Sequence, residues 1–145
     1  MIRTVLAVAA LGLGLVSVAV AQDPIAARKA IMKTNGQQGA LGAKMVRGEE
    51  PFDLAKAKAI FAAYEDAAAK MPALFPDNSK TGGETTAAPA IWTGMDDFKA
   101  KFVKFGADAK AAGEKTKDLD SFKTEFQTVA KNCGGCHETY RIKKS

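Results

Sequence analysis

Apolar and polar positions recur along the chain with the three- and four-residue steps of amphipathic α-helices. After an apolar N-terminal stretch, four segments show this pattern: 23–48, 53–71, 95–113 and 118–140. Asp23 and Pro24 supply a helix N-cap and a first-turn proline, Gly48 supplies a C-terminal stop, and Pro72 ends the second segment. No segment shows the strict alternation of a half-buried strand. We therefore predict an all-α chain with four helices.

Residues 72–89 differ in composition from the helical segments. They are rich in Pro, Gly, Ser, Thr and Asn, which marks one long connection between the second and third helices. Phe98, Phe102 and Phe105 fall on one stripe of the third helix and give it an aromatic core face. The pattern predicts an antiparallel four-helix bundle around a single core.

The N-terminus has the layout of a secretory signal. Arg3 precedes an apolar stretch over 5–20, and Ala19-Val20-Ala21 forms an A-x-A cleavage site. About sixteen apolar residues are fewer than the roughly twenty that a spanning helix needs, so we expect no stable membrane insertion. Residues 1–21 are predicted to be a signal peptide, and residues 22–145 one exported domain.

The charge of the chain does not favour a nucleic-acid partner. The formal net charge of +5 comes from Lys and Arg residues scattered along the helices. Clustered bases interleaved with aromatic residues, which are typical of nucleic-acid binding, are missing from the sequence. We expect no nucleic-acid partner.

Cys133-Gly134-Gly135-Cys136-His137 carries the most specific chemistry in the sequence. This C-x-x-C-H run contains both cysteines and the single histidine of the chain, and it indicates covalent attachment of haem c. Two thiols add across the haem vinyl groups, and the adjacent histidine is then held under the iron as proximal ligand. Both cysteines fall on the core stripe of the fourth helix, so the haem is expected inside the bundle near one end.

Three other interpretations of the motif are weaker. A structural zinc site takes four Cys or His ligands, and the chain offers three residues of these types. A disulfide between cysteines three positions apart in a helix has unfavourable geometry. A thiol oxidoreductase using Cys133 and Cys136 is the alternative from another functional class, but no β-rich segment precedes the motif as a thioredoxin-like site requires.

The motif and several other stretches resemble the class II c-type cytochromes, meaning cytochrome c′ and its low-spin, methionine-ligated relatives. The resemblance spans residues 22 to 145 and is most specific where the haem motif runs into Glu138-Thr139-Tyr140-Arg141, close to the C-terminus. Further matching stretches are Arg28-Lys29-Ala30-Ile31-Met32, Gly48-Glu49-Glu50-Pro51-Phe52-Asp53, Leu74-Phe75-Pro76, and Ala90-Ile91-Trp92 leading into Asp97-Phe98. Together they are most similar to the low-spin subgroup.

The resemblance implies a monohaem periplasmic protein that exchanges single electrons with redox partner proteins and forms homodimers in many family members. Cys133 and Cys136 would be the thioether anchors, and His137 the proximal iron ligand. Arg28 would lie near a haem propionate. Trp92 either stacks at the haem edge or packs as ordinary core. No catalytic residue is predicted.

Met32 falls at the position that meets the distal side of the iron in this family. If its thioether binds the iron, the haem is six-coordinate and the protein is an electron carrier. If Met32 only packs over the haem, the iron stays five-coordinate and binds small gases such as nitric oxide or carbon monoxide. Methionines at helical spacing usually fill core gaps, but the low-spin resemblance of the other stretches favours ligation.

Overall fold

The computed structural model describes residues 23–143. The predicted signal peptide, residues 1–21, lies outside the described residues. Five α-helices follow one another, and their ranges are α1 Pro24–Arg47, α2 Leu54–Lys70, α3 Ala90–Thr93, α4 Met95–Lys115 and α5 Leu119–Tyr140. The four long helices form an antiparallel four-helix bundle, as the sequence predicted.

Local sequence signals set the helix ends. The Asp23 carboxylate accepts a hydrogen bond of 2.9 Å from the backbone N–H of Ile25, and Pro24 occupies the first turn of α1. Gly48 ends this helix with a φ of 75°, a conformation that costs glycine little. Asp118 and Ser121 form a reciprocal capping box at the start of α5. These ends match the predicted boundaries closely.

The connection between α2 and α4 is more structured than predicted. Two 3₁₀ turns, Met71–Leu74 and Asp77–Ser79, and the one-turn helix α3 lie within it. The backbone N–H of Ala88 donates to the carbonyl of Tyr140 at 3.0 Å. A second bond of 2.8 Å from the N–H of Ile142 to the carbonyl of Thr86 completes an isolated antiparallel bridge. The connection is therefore fastened to the end of α5.

Aromatic side chains from several elements fill the core. Phe98 of α4 meets Phe75 of the connection edge-on at a ring distance of 4.7 Å, and it meets Tyr140 of α5 at 5.1 Å. Phe61 and Phe122 are fully buried between α2 and α5. Met45 of α1 is also buried in this core. Within residues 23–143, no helix is long and apolar enough to cross a membrane.

Candidate haem site

A cavity of about 780 Å³ lies among the four long helices and is partly open to solvent. Its walls come from α1, α2, α4 and α5, together with α3 and parts of the 71–89 connection. Most of the lining surface is apolar, and the lining includes the rings of Phe75, Phe98, Phe102, Phe105 and Phe126. Its volume falls within the range of roughly 300–1,000 Å³ that is typical of cofactor pockets.

The C-x-x-C-H residues of α5 line this cavity. Cys133 and Cys136 lie about one helical turn apart, so both thiols face the same side of the helix, and His137 follows directly. Cys133 is exposed at the cavity wall, and Cys136 is half-buried. The apolar surroundings raise the pKa of both thiols. Such thiols stay protonated at neutral pH, whereas a reactive redox cysteine needs a lowered pKa.

His137 lies at the same wall in a half-buried position. Burial lowers the pKa of its imidazole, and the positive charge of Arg141 one turn further on lowers it again. Both effects favour the neutral imidazole, which is the form that binds metals. The group therefore has the protonation state that an iron ligand requires.

One face of α1 also borders the cavity that Cys133, Cys136 and His137 of α5 line. Arg28, Met32, Asn35, Gly36 and Gly39 all belong to this lining. A Cβ added at Gly36 would meet nothing within 4 Å, and one at Gly39 would lie 3.3 Å from the Tyr64 hydroxyl. Gly36 therefore leaves open space on the cavity side of α1, whereas Gly39 also permits a close approach of Tyr64 in α2.

Helix packing is tighter at Gly42, whose role was not predicted from the sequence. A Cβ built on Gly42 would lie only 2.7 Å from Cζ of Phe126 in α5, and closer still to Cε2. Phe126 itself forms part of the cavity wall. Gly42 therefore lets α1 approach the α5 ring that bounds the cavity.

Arg28 is 4% exposed and lies at one edge of the cavity. Its guanidinium donates to the Leu74 carbonyl at 3.1 Å, to Oγ and the carbonyl of Ser79 at 2.9 and 2.8 Å, and to Oγ1 of Thr85 at 2.8 Å. The same group lies 4.8 Å from the ring centre of Phe75. These contacts tie α1 to the long connection. The predicted contact of Arg28 with a haem propionate stays a prediction.

Trp92 lies behind the cavity wall. Its indole N–H donates to the Phe75 carbonyl at 3.0 Å, and its ring packs edge-on against Phe75 at 6.0 Å. Trp92 is not part of the cavity lining, although Phe75 is. This position agrees with the core interpretation of Trp92, and its predicted haem contact stays a prediction.

The charges around the cavity suit a dianionic cofactor. Five cationic residues belong to the lining, and none of the 16 Asp and Glu residues of the chain does. The cations are Arg28, Lys29, Lys33, Lys101 and Arg141. A haem carries two propionate groups, which such surroundings stabilise electrostatically. An apolar cavity, paired thiols, a neutral imidazole and a cationic edge together fit haem c.

Sequence reasoning missed Met71 and Tyr64, two further groups on the cavity. Met71 follows α2 directly and is a second thioether at the wall. Burial, and then the nearby Cys133, raise the pKa of the Tyr64 hydroxyl well above its usual value. Tyr64 lies at helical spacing from the apolar positions of α2, but only the packing of α2 beside α1 and α4 shows that it faces the cavity.

A four-helix bundle with this C-x-x-C-H motif on its last helix defines a class II c-type cytochrome. The chain belongs to the family described as Cytochrome C', whose model matches residues 23–141. Like other members of this family, it carries covalently attached haem c with iron.

Named relatives agree with this family. A cytochrome c′ of Rhodopseudomonas palustris is 44% identical over 145 residues, covering 99% of this chain and 97% of the relative. A cytochrome c-556 of Agrobacterium fabrum is 44% identical over 119 residues, covering 81% and 80% of the two chains. The solved structure of cytochrome c′ from Rhodopseudomonas palustris superposes with a TM-score of 0.83 at 44% identity, covering 86% of this chain and all of that chain.

Proposed function

We propose that this cytochrome is a periplasmic carrier of single electrons, with His137 and Met32 as the two axial ligands of its haem iron. The observation that carries the proposal is the shared cavity: the imidazole belongs to α5, the thioether belongs to α1, and both line the same apolar space. When bound, the haem supplies reversible one-electron chemistry, and His/Met ligation raises its reduction potential.

Cys133 and Cys136 hold the cofactor in this proposal. Both sulfurs lie on the cavity side of α5, and His137 is the next residue in the chain, so one helix provides both anchors and one ligand. The raised pKa of each thiol argues against the thiol oxidoreductase alternative, because a nucleophilic thiolate is disfavoured there.

Met32 is the better placed of two thioethers on the cavity. Met71 also borders it, but Met71 is 3% exposed and belongs to the buried core cluster. Met32 is only partly buried and packs against the edge of that cluster. Gly36 and Gly39 continue the same face of α1 without side chains, which leaves room for a flat ring beside the helix.

Gas binding at a five-coordinate haem is the second candidate function. The observation that favours it is Asn35, whose Oδ1 is buried with no hydrogen-bond partner among residues 23–143 and which lines the cavity one turn from Met32. A polar group of this kind interacts with a bound diatomic ligand or with water. In this case Met32 would pack over the haem without binding the iron.

Replacing each thioether separately tests the proposal. In the oxidised protein we expect an absorption band at the red end of the spectrum from methionine-to-iron charge transfer. Met32→Ala is expected to abolish this band and to yield a high-spin iron, while the matched variant Met71→Leu keeps both the band and the low spin.

A band that survives Met32→Ala but disappears in Met71→Leu would assign the ligand to the other sulfur. Absence of the band from the unmodified protein would favour the gas-binding candidate. Thermal unfolding of both variants, followed by circular dichroism, checks that each bundle is intact.

Two sequence features support the proposed periplasmic location, and both point to the same compartment. The signal sequence of residues 1–21 directs export, and the C-x-x-C-H motif requires haem attachment outside the cytoplasm in this family. Mass spectrometry of protein from the periplasmic fraction is expected to show a chain beginning at Gln22 and carrying one haem. A chain retaining residues 1–21 would contradict this location.

A further inference from the structure

Cationic side chains border the opening of the cavity. Lys29 and Lys33 extend from α1, Lys101 from α4, and Arg141 follows α5 directly. Three of them are exposed while also lining the cavity, so they lie where it meets solvent, and Lys101 is partly exposed. We call these four residues the cationic rim.

Acidic neighbours neutralise the cationic rim only weakly. Lys29 lies 3.8 Å from the Glu84 carboxylate, and Lys101 lies 3.9 Å from Asp97. Both distances are close to the outer limit of an ion pair, and exposed pairs of this kind contribute little. Lys33 and Arg141 form no ion pair within residues 23–143. The rim therefore keeps most of its positive charge.

The haem accounts for only part of this charge. Its two propionates balance two of the five cations on the lining, and Arg28 is buried among its hydrogen-bond acceptors. The net charge of the whole sequence is only +5, and none of its 16 acidic residues lines the cavity. Positive potential is thus concentrated where the cavity opens to solvent.

We propose that the cationic rim docks the acidic surface of an electron-transfer protein over the cavity opening. This inference rests on the proposed electron-carrier function and names the chemistry of its partner. Complementary charge speeds encounter and orients the partner with its own redox centre towards the haem. Docking at the opening also places the partner directly over the cavity that would hold the haem.

A protein surface fits the rim better than an anionic membrane does. Peripheral membrane binding combines cationic charge with an apolar helix face that enters the lipid. The four rim residues come from three different elements and surround a concave opening, so they form no such face. A convex acidic protein surface is the complementary shape.

The probe for the test is a reduced plant-type [2Fe–2S] ferredoxin, an acidic protein of low reduction potential. One electron passes from its cluster to the ferric iron, so the cluster is oxidised and the iron is reduced, with no proton or group transferred. Stopped-flow spectroscopy at low and high salt gives the second-order rate constant. We expect this constant to fall with rising ionic strength, as for association between opposite charges.

Two double variants with the same change in net charge make the test specific. Lys33→Gln with Lys101→Gln neutralises half of the rim, whereas Lys58→Gln with Lys110→Gln neutralises two exposed lysines that do not line the cavity. The rim variant is expected to lose roughly tenfold in rate constant at low salt. The control variant is expected to lose less than twofold. Calorimetric binding of the oxidised ferredoxin is expected to weaken in the same order.

Equal losses in the two double variants would overturn the proposal, because net charge alone would then explain the rates. Rim-dependent sedimentation with phosphatidylglycerol vesicles, combined with rim-independent ferredoxin rates, would overturn it in favour of a membrane surface. The spectrum separates this result from failure of the proposed ligation. A high-spin native protein with rim-dependent rates contradicts Met32 ligation alone, whereas a low-spin protein with rim-independent rates contradicts docking alone.

Discussion

At Gly42, we expect even the addition of one methyl group to destabilise the fold. The ring of Phe126 occupies the space that a Cβ at this position would need, and the surrounding core is closely packed. We predict that Gly42→Ala lowers the free energy of unfolding by about 1–3 kcal/mol, because the ring or the helix must shift. Denaturant unfolding followed by circular dichroism measures this loss.

Gly113 supplies the matched control on α4. A Cβ there would lie 3.6 Å from Cβ of Phe61, which is an ordinary contact. Gly113→Ala is expected to stabilise the protein by about 0.5–1 kcal/mol, since alanine loses less conformational freedom in a helix. Equal effects at the two positions would show that helix propensity, and not the approach of α1 to α5, decides the result.

Tyr140 is expected to make stability fall at alkaline pH. Its hydroxyl donates to Oδ2 of Asp97 at 2.5 Å, and this bond, followed by burial, raises the pKa of Tyr140 from 10.0 to about 12. The folded state therefore keeps a proton that the unfolded state releases, so stability declines as the pH rises from about 10 to about 12.

NMR titration of ring-labelled tyrosine measures the pKa of Tyr140 directly. Asp97→Asn removes the charged acceptor and is expected to bring the pKa of Tyr140 back towards 10.0. Tyr64 is the internal control, because burial and Cys133 raise its pKa independently of Asp97. An unchanged Tyr140 titration in the variant would show that Asp97 does not hold the proton in place.

At the scale of elements, Arg28 connects α1 to the segment between α2 and α4. Its four hydrogen bonds reach residues 46 to 57 positions further along the chain. We predict that Arg28→Gln destabilises the protein by about 2–3 kcal/mol, since buried acceptors lose a charged donor. Amide hydrogen exchange is expected to accelerate between residues 77 and 86.

Lys33→Gln on the same helix controls for the loss of one positive charge, because Lys33 is exposed and is absent from these bonds. Unchanged exchange in Arg28→Gln, together with an altered reduction potential, would instead support the propionate contact that the family resemblance implies. Hydrogen exchange thus reports on the structural role of Arg28, and the reduction potential reports on its contact with the haem.

The long helices were predictable because their signals are local. Asp23, Gly48 and Asp118 cap their helices through bonds that span only a few residues, and the apolar steps identify each core face. The one-turn helix α3, the 3₁₀ turns and the bridge of Ala87 with Arg141 were not predicted. They depend on contacts between distant parts of the chain, which periodicity does not reveal.

At the scale of the whole molecule, the bundle brings separated residues to one cavity. Arg28 and Met32 could be placed together from the sequence because they lie one turn apart on α1, and Cys133, Cys136 and His137 because the motif is continuous. The residues of other helices that face these groups across the cavity were not predictable, since they depend on how the helices pack. Met71 and Tyr64 therefore emerged only from the three-dimensional arrangement.

At this scale, positive charge is also more concentrated than the composition indicated. A net charge of +5 suggested a mildly basic surface, whereas the fold places five cations and no carboxylate on the lining of one cavity, four of the cations at its opening. The residues that form this distribution lie on α1, on α4 and after α5. Their common position explains how a modest total charge can still direct a partner to the haem.

Electron paramagnetic resonance of the ferric protein at neutral pH tests the central claim most directly. If His137 and Met32 both bind the iron, both of its axial positions would be filled, so we predict a low-spin signal that Met32→Ala converts to high spin. A high-spin signal from the unmodified protein would show an open axial position and would contradict the claim.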